Sequence, residues 1–283
     1  ENYDWENVVD GEYRDGKVVR KIRLNVSQNT ATDGDNINIS GYDESVIYGT
    51  NDQTPKPIVK YGDTLLIEGT DYTISWSGEK YDEKTGCTNA GTYTGTIDFI
   101  GNYSGQTTIS FTIEKATPSI TTPTVDGITY DPEKTLGTIE IANPEGNLSG
   151  NWTWVNPETV PSVDIAQYEA QFDPADKENY DWENVVDGEY RDGKVVRKIG
   201  LNVERNEITD GENLDISGYN ENINYDPNGQ TPKPIVKCGD TLLIEGKDYT
   251  ISWSGERYDE KTGCTNAGTY TGTIDFIGNY SGQ

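Results

Sequence analysis

Residues 1–106, from ENYDWENVVDGEY to GNYSGQ, recur without a gap as residues 178–283. The offset is 177 throughout: Glu1 matches Glu178, Trp5 matches Trp182, Trp76 matches Trp253 and Gln106 matches Gln283. Of the 106 aligned positions, 88 are identical. A chain that repeats itself so closely cannot be one large catalytic core. It must fold as an array of similar units, each stable beside the next. A period of 177 residues is long for one β module and accommodates two of about 88 residues each.

A second likeness supports that division. The stretches TYTGTIDFIGNYSG (92–105) and QYEAQFDPADKENYDW (167–182) share a layout of alternating strand, short polar bend and Asn-Tyr. After each comes a strand that ends its unit, TTISFTIE (107–114) and VVRKIGLNV (195–203). Two module types, A and B, therefore alternate. Residues 1–26 are expected to be the C-terminal part of a preceding B module, and residues 27–115 a whole A module. Residues 116–203 form a whole B module, and residues 204–283 an A module lacking its last strand.

The expected fold class is all-β, as tandem immunoglobulin-like β-sandwich modules without substantial helix. No window keeps a 3.6-residue period for three turns, whereas period-2 alternation recurs in DYTISWS (71–77), TYTGTIDFI (92–100), TTISFTIE (107–114), NWTWV (151–155) and QYEAQF (167–172). Gly, Asp, Asn and Pro punctuate these runs at short intervals, as sandwiches require. PKPIVKYGDTLLIEG (55–69) reads as a hairpin turning at Tyr61-Gly62-Asp63.

The two copies also report which way side chains face. Val46-Ile47-Tyr48 becomes Ile223-Asn224-Tyr225, so only the middle position trades an apolar residue for a polar one. Successive strand residues point to opposite faces, which turns Val46 and Tyr48 inward and Ile47 outward. Ile37-Asn38-Ile39 against Leu214-Asp215-Ile216 gives the same pattern.

Composition limits the functions such an array can have. Hydrophobic residues make up 32% and aromatic residues 10%, enough for several thin cores and lean for one large α/β core. No run of eighteen apolar residues occurs, so no membrane span lies in this segment. The net charge of −27 argues against nucleic acid and anionic membranes as partners. The acidity serves solubility along a rod. A Ca²⁺ role for TDGD (32–35), TDGE (209–212) or DPADKE (173–178) lacks the full ligand spacing of a calcium loop, so no metal or cofactor is expected.

QTPKPIVKYGDTLLIEGTDYTISWSG followed by NAGTYTGTIDFIGNYSGQTTISFTI resembles the bacterial immunoglobulin-like repeats of Gram-positive cell-surface proteins, adhesins and stalks. The matching positions are Tyr48, Pro57, Leu66, Gly69, Asp71, Tyr72, Thr73, Gly101, Asn102, Tyr103 and Gly105, all recurring 177 residues later. Module B is similar to a companion repeat through GNWTWVNPETVPSV and AQFDPADKENYDW. The resemblance implies a β-sandwich and an extracellular address at the bacterial surface or cell wall. It names no ligand, because such repeats serve mostly as spacers. The insert YDEKTG (81–86) departs from the family's short Asn-containing turn.

Catalysis is not expected. The chain has no His, which removes the commonest general base and the usual Ser and Cys triads. Its three Cys are scattered, without zinc-site spacing. A carboxylate pair of the carbohydrate-active kind is a remote alternative, needing a cleft that a small sandwich rarely provides.

Binding candidates are aromatic. Trp152 and Trp154 lie two apart on a strand and share a face, where they either stack on sugar rings or fill the core of module B; the core reading is favoured. The stretch 27–52 holds 14 of the 18 differences between copies, which marks either a ligand face or drift in exposed segments. Candidate cross-links are isopeptide bonds at Lys60 or Lys115 and an ester bond at Gln106. A Cys238–Cys264 disulfide is open to the second A module alone, because Cys238 replaces Tyr61; free thiols are the expectation. Tyr103, Tyr280 and Tyr180 are expected to be largely buried corner residues with hydroxyls on backbone.

The function expected is that of a structural segment of a surface stalk, fibre or adhesin, its partners being adjacent repeats or head-to-tail copies. The alternative is a host-facing module that binds a glycan or an immunoglobulin. Residues 1–26 are expected to make few contacts beyond the A module they lead into.

Overall fold

A computed structural model describes residues 10–31, 36–209, 211 and 213–283. Among them the chain is all-β, with two single-turn 3₁₀ segments, Leu136–Thr138 and Trp182–Asn184, and no α-helix. It divides into two compact units, one reaching Lys115 and the other running from Ala116 to Gln283.

In the first unit two sheets face each other. One carries Tyr103–Glu114 centrally, antiparallel to Gly91–Phe99, which in turn pairs with Tyr72–Ser77. Asn29–Thr30 and Ser45–Ile47 join Tyr103–Glu114 in parallel. The other sheet holds Ile37–Ser40, Ile58–Tyr61 and Thr64–Leu65. Alternation supplies the core: Ile97, Phe99 and Ile109 from the first sheet meet Val59 from the second, with Tyr72 and Leu66 beside them. Cys87, Tyr93, Phe111 and Ile113 make a second apolar cluster. Val46 and Tyr48 pack against that cluster while Ile47 stays 65% exposed, and Ile37 and Ile39 pack on the main core. The hairpin turns where expected, Tyr61 facing Thr64, with Gly62 at φ 58°, a left-handed conformation that glycine adopts without strain.

The second unit contains module B and the second A module. In B, Gly150–Trp154, Gln167–Pro174, Lys194–Gly200 and Glu189–Arg191 form one four-stranded antiparallel sheet in that order. Its inner face carries Trp152, Trp154, Tyr168, Phe172, Val195 and Ile199. The opposite layer departs from a second full sheet. It consists of irregular chain supplying Ile120, Leu136 and Ile141, with Ile128–Thr129 paired to Val203–Glu204 as its only strand pairing among the described residues. Pro118, Pro123, Pro132 and Pro144 interrupt this stretch, and each removes a donor that a ladder would need.

Arg197 ties that irregular layer to the sheet. It is 8% exposed, and its guanidinium donates to the carbonyls of Asp187, Val186 and Ile120 and to Thr122 Oγ1. Burial pulls its pKa below the usual arginine value. A buried cation persists when hydrogen bonds compensate its lost hydration, and here four acceptors converge on it.

The second A module repeats the smaller sheet, as Leu214–Ser217, Ile235–Cys238 and Thr241–Leu242, and repeats the pair Tyr249–Ser254 with Thr271–Phe276. Val236, Leu243, Tyr249, Phe276 and Tyr280 fill its core.

Candidate functional site

Trp152 and Trp154 do share a face, as their spacing requires, but it is the inner one. They are 6% and 5% exposed, with Trp152 against Phe172 at 5.3 Å between ring centroids and Trp154 edge-on to Tyr168 at 6.4 Å. Trp154 Nε1 donates to the carbonyl of Ile139, 2.9 Å away. Neither ring presents a face on which a sugar could stack, so the platform reading gives way to the core reading. Burying two indoles against Phe172 and Tyr168 contributes more to B than any solvated position would.

The corner tyrosines divide. Tyr280 is 2% exposed, whereas Tyr103 and Tyr180 are half-buried. Burial raises the Tyr280 pKa strongly, and its ring packs edge to face on Tyr130 where a hydroxyl bond to backbone was expected. The tyrosines that do anchor backbone are others: Tyr93 donates to the Asn89 carbonyl and Tyr270 to that of Asn266, each at 2.6 Å, and Tyr168 Oη accepts from the Ser162 amide at 2.7 Å. The shared Asn-x-x-x-Tyr spacing of the first two was the available signal.

The remaining candidates sort by what their side chains meet. Lys60, Lys115 and Gln106 are exposed, and Gln106 Nε2 donates to Asp98 Oδ1 at 2.6 Å. Cys87, Cys238 and Cys264 are free, with burial raising each thiol's pKa. The loop 32–35 lies outside the described residues, as does part of 209–212. In 173–178, Asp176 accepts from the amides of Glu178 and Asn179 while Asp173 takes Lys177 Nζ at 2.7 Å, so these carboxylates close the turn themselves. In YDEKTG, Asp82 Oδ1 accepts from the amides of Lys84 and Thr85, and Asp259 does the same in the second copy. These bonds hold both carboxyls below the ordinary aspartate range.

The most elaborate polar arrangement is the joint between module B and the second A module. Val203–Glu204 pairs in parallel with Ile128–Thr129 of B, and Asn206–Glu207 pairs in parallel with Tyr280–Ser281 of A. Only Arg205 lies between the two pairings, so one extended segment belongs to both modules. Asn279 Oδ1 accepts from Ser162 Oγ at 3.0 Å and from the Val163 amide at 2.9 Å. Asn206 Nδ2 donates to the Tyr130 carbonyl at 3.2 Å. The rings of Tyr130 and Tyr280 meet edge to face at 5.3 Å. In the first A module the ring beside Tyr103 is Tyr61, also at 5.3 Å. Cys238 stands in place of Tyr61 in the second copy, and the aromatic partner there comes from B. Sequence reasoning missed this joint, although the Tyr61/Cys238 difference and the repeated Asn-Tyr were its visible traces.

Compared with models of known protein families and with curated proteins, the chain matches none.

Proposed function

We propose that this chain is a non-catalytic structural segment of a bacterial cell-surface stalk, fibre or adhesin, built from alternating immunoglobulin-like A and B modules. One observation carries the reading: a linker of a single residue, Arg205, between strand pairings that belong to two successive modules. A spacer must resist bending between its units, and a joint with paired backbone on both sides has little freedom to lose. A buried aromatic contact and the two-donor Asn279 acceptor add to its stiffness. The absence of His from the sequence and the burial of Trp152 and Trp154 favour a spacer over an enzyme or a glycan head. The charge of −27 suits an extended extracellular segment that must not collapse on its own copies.

The test is small-angle X-ray scattering of the whole chain beside a variant with a Gly-Ser-Gly-Ser insertion after Arg205. A stiff joint is expected to lose definition, broadening the distance distribution of the insertion variant. Identical scattering from both would show that the joint carries no stiffness and would remove the main support for a spacer.

A further inference from the structure

The segment that enters module B and the segment that leaves it are joined to each other. Entry begins at Ala116, one residue after the strand that ends the first A module at Glu114. The Ala116 amide donates to the Asn179 carbonyl at 3.0 Å and the Asp181 amide to the Ala116 carbonyl at 2.9 Å, closing a parallel bridge to Tyr180. Farther along, the Ile128 and Tyr130 amides donate to the carbonyls of Asn202 and Glu204 at 2.9 and 2.8 Å. This ladder is parallel too, and its partner is the exit segment, which leads through Arg205 into the second A module. Arg197, on the strand that runs into that exit, grips the entry segment as well. It donates to the Ile120 carbonyl at 2.7 Å and to Thr122 Oγ1 at 3.0 Å. Pro118 and Pro123 are buried in the same stretch, and their fixed φ leaves it little slack to be drawn out.

The direction of pairing decides what tension does. Pulling across module B draws the entry segment toward its N-terminus and the exit segment toward its C-terminus. In a parallel pair these are opposite directions along one axis, so the strands must slide and their hydrogen bonds are strained together. In an antiparallel pair both pulls act at one end of the ladder, and the bonds open one after another. Residues 131–193 lie off the path between the joined segments.

We infer that this arrangement is a shear clamp: module B passes tension from one neighbour to the next through the Ile128–Tyr130 ladder and the Arg197 grip, while its sheet core stays unloaded. The inference goes beyond the stiffness proposed above. A joint can resist bending while its module peels apart under tension, so either reading can fail alone.

The test attaches handles at positions 115 and 205 of the whole chain, both exposed, so that tension crosses module B alone, and records its unfolding rate at constant force. In the unmodified chain the rate should depend weakly on force, with a distance to the transition state of about 3 Å, the length of one hydrogen bond. Peeling frees both strands at about 3.3 Å per residue each and would give about 10 Å or more. Ile128→Pro, which removes a ladder donor, and Arg197→Met, which removes the grip, should each speed forced unfolding about fivefold or more. Thr129→Pro, whose amide points away from the exit segment by alternation, should stay within about twofold. Phe172→Leu removes volume from a fully buried site and should weaken B in denaturant. Its forced rate should nevertheless stay within about twofold, because the core is still intact when the clamp yields. A long distance to the transition state in the unmodified chain overturns the inference. So does equal acceleration by the two proline variants, or acceleration by Phe172→Leu that matches Arg197→Met.

Discussion

Residues 10–26 and 187–203 differ at one position, Arg23 against Gly200, yet they end in different states. Both make the same hairpin. Glu12–Arg14 pairs with Lys17–Val19, and Glu189–Arg191 with a strand beginning at Lys194. The two-residue loops have matching backbones, Asp15 and Gly16 at φ 49° and 78°, Asp192 and Gly193 at 51° and 77°. Asp-Gly loops of this kind suit the twist of a hairpin whatever surrounds them. Beyond the hairpin the copies part. In module B the strand runs on to Gly200 against Gln167–Pro174, and Ile199, Leu201 and Val203 are buried in that module's core. In the first copy the strand stops at Val19, and Ile22, Leu24 and Val26 are 90%, 82% and 85% exposed. The turn is encoded locally. The strand is a property of its partner, since a hairpin alone gains too little burial to extend itself.

Substituting the same residue in each copy tests this most directly. Ile199→Ala should cost module B about 2–5 kcal/mol, because it opens a cavity beside a side chain that is 1% exposed. Ile22→Ala should change stability by about 0.5 kcal/mol or less. Denaturant unfolding of the two variants measures both. Similar losses would mean that residues 10–26 are packed against something of comparable extent.

Arg197 and Arg20 sharpen the contrast. Arg197→Met leaves the carbonyls of Val186, Asp187 and Ile120 without their donor, and should cost about 2–3 kcal/mol. Arg20→Met, at an exposed position, should cost about 0.5 kcal/mol or less. Hydrogen exchange should show residues 118–122 opening in the Arg197 variant. A small loss there would mean that the irregular layer of B holds to its sheet by apolar contact alone.

Much of this was legible in the residues. The hairpin at Tyr61–Thr64, the in-out-in pattern of Val46, Ile47 and Tyr48, and the shared face of Trp152 and Trp154 all follow from the period-2 rule and from turn chemistry. What alternation cannot tell is whether a face has a partner. That is why Val26 and Val203 read identically, and why a solvent-facing platform of Trp152 and Trp154 could not be dismissed from spacing. The irregular layer of B lay in its prolines, which break a ladder but do not say what replaces it. The joint depended on Asn279 meeting Ser162, residues 117 apart in the chain. No local pattern reaches that far.

The two Asn-Tyr motifs extend the comparison to the A modules. Asn279→Ala should loosen the joint by about 1–2 kcal/mol, since Ser162 and the Val163 amide lose a shared acceptor. Asn102→Ala, its exposed counterpart, should leave unfolding within about 0.5 kcal/mol of the parent. Unfolding of the second unit, followed through B and A signals separately, distinguishes a loosened joint from a damaged module. The joint variant should separate two transitions that otherwise coincide.

The smallest effect expected is one of pH, and it too separates the copies. Asp52 accepts from the Thr54 amide at 2.9 Å and the Thr54 hydroxyl at 2.5 Å, and Thr54 Oγ1 in turn takes the Cys87 amide at 2.8 Å. The Thr54 side-chain bond is the largest of the causes that hold the Asp52 carboxyl below the ordinary aspartate range. In the second copy Gly229 replaces Asp52, and Thr231 accepts from the Cys264 amide at a longer 3.3 Å. A depressed carboxyl stabilises the fold fully above its unfolded pKa, about 4, and that contribution drains away as pH falls through the folded value. Acidification should therefore loosen the Thr54–Cys87 contact of the first A module, while the Thr231–Cys264 contact has no carboxylate to lose. Asp82 and Asp259 titrate alike in both copies and cancel from the comparison. Amide shifts of Thr54 and Cys87, followed from pH 7 downward, should move together below about pH 4. They should cease to do so in Asp52→Asn, which keeps an acceptor but cannot titrate. Equal movement at Cys264 would assign the effect to Asp82 and Asp259 instead.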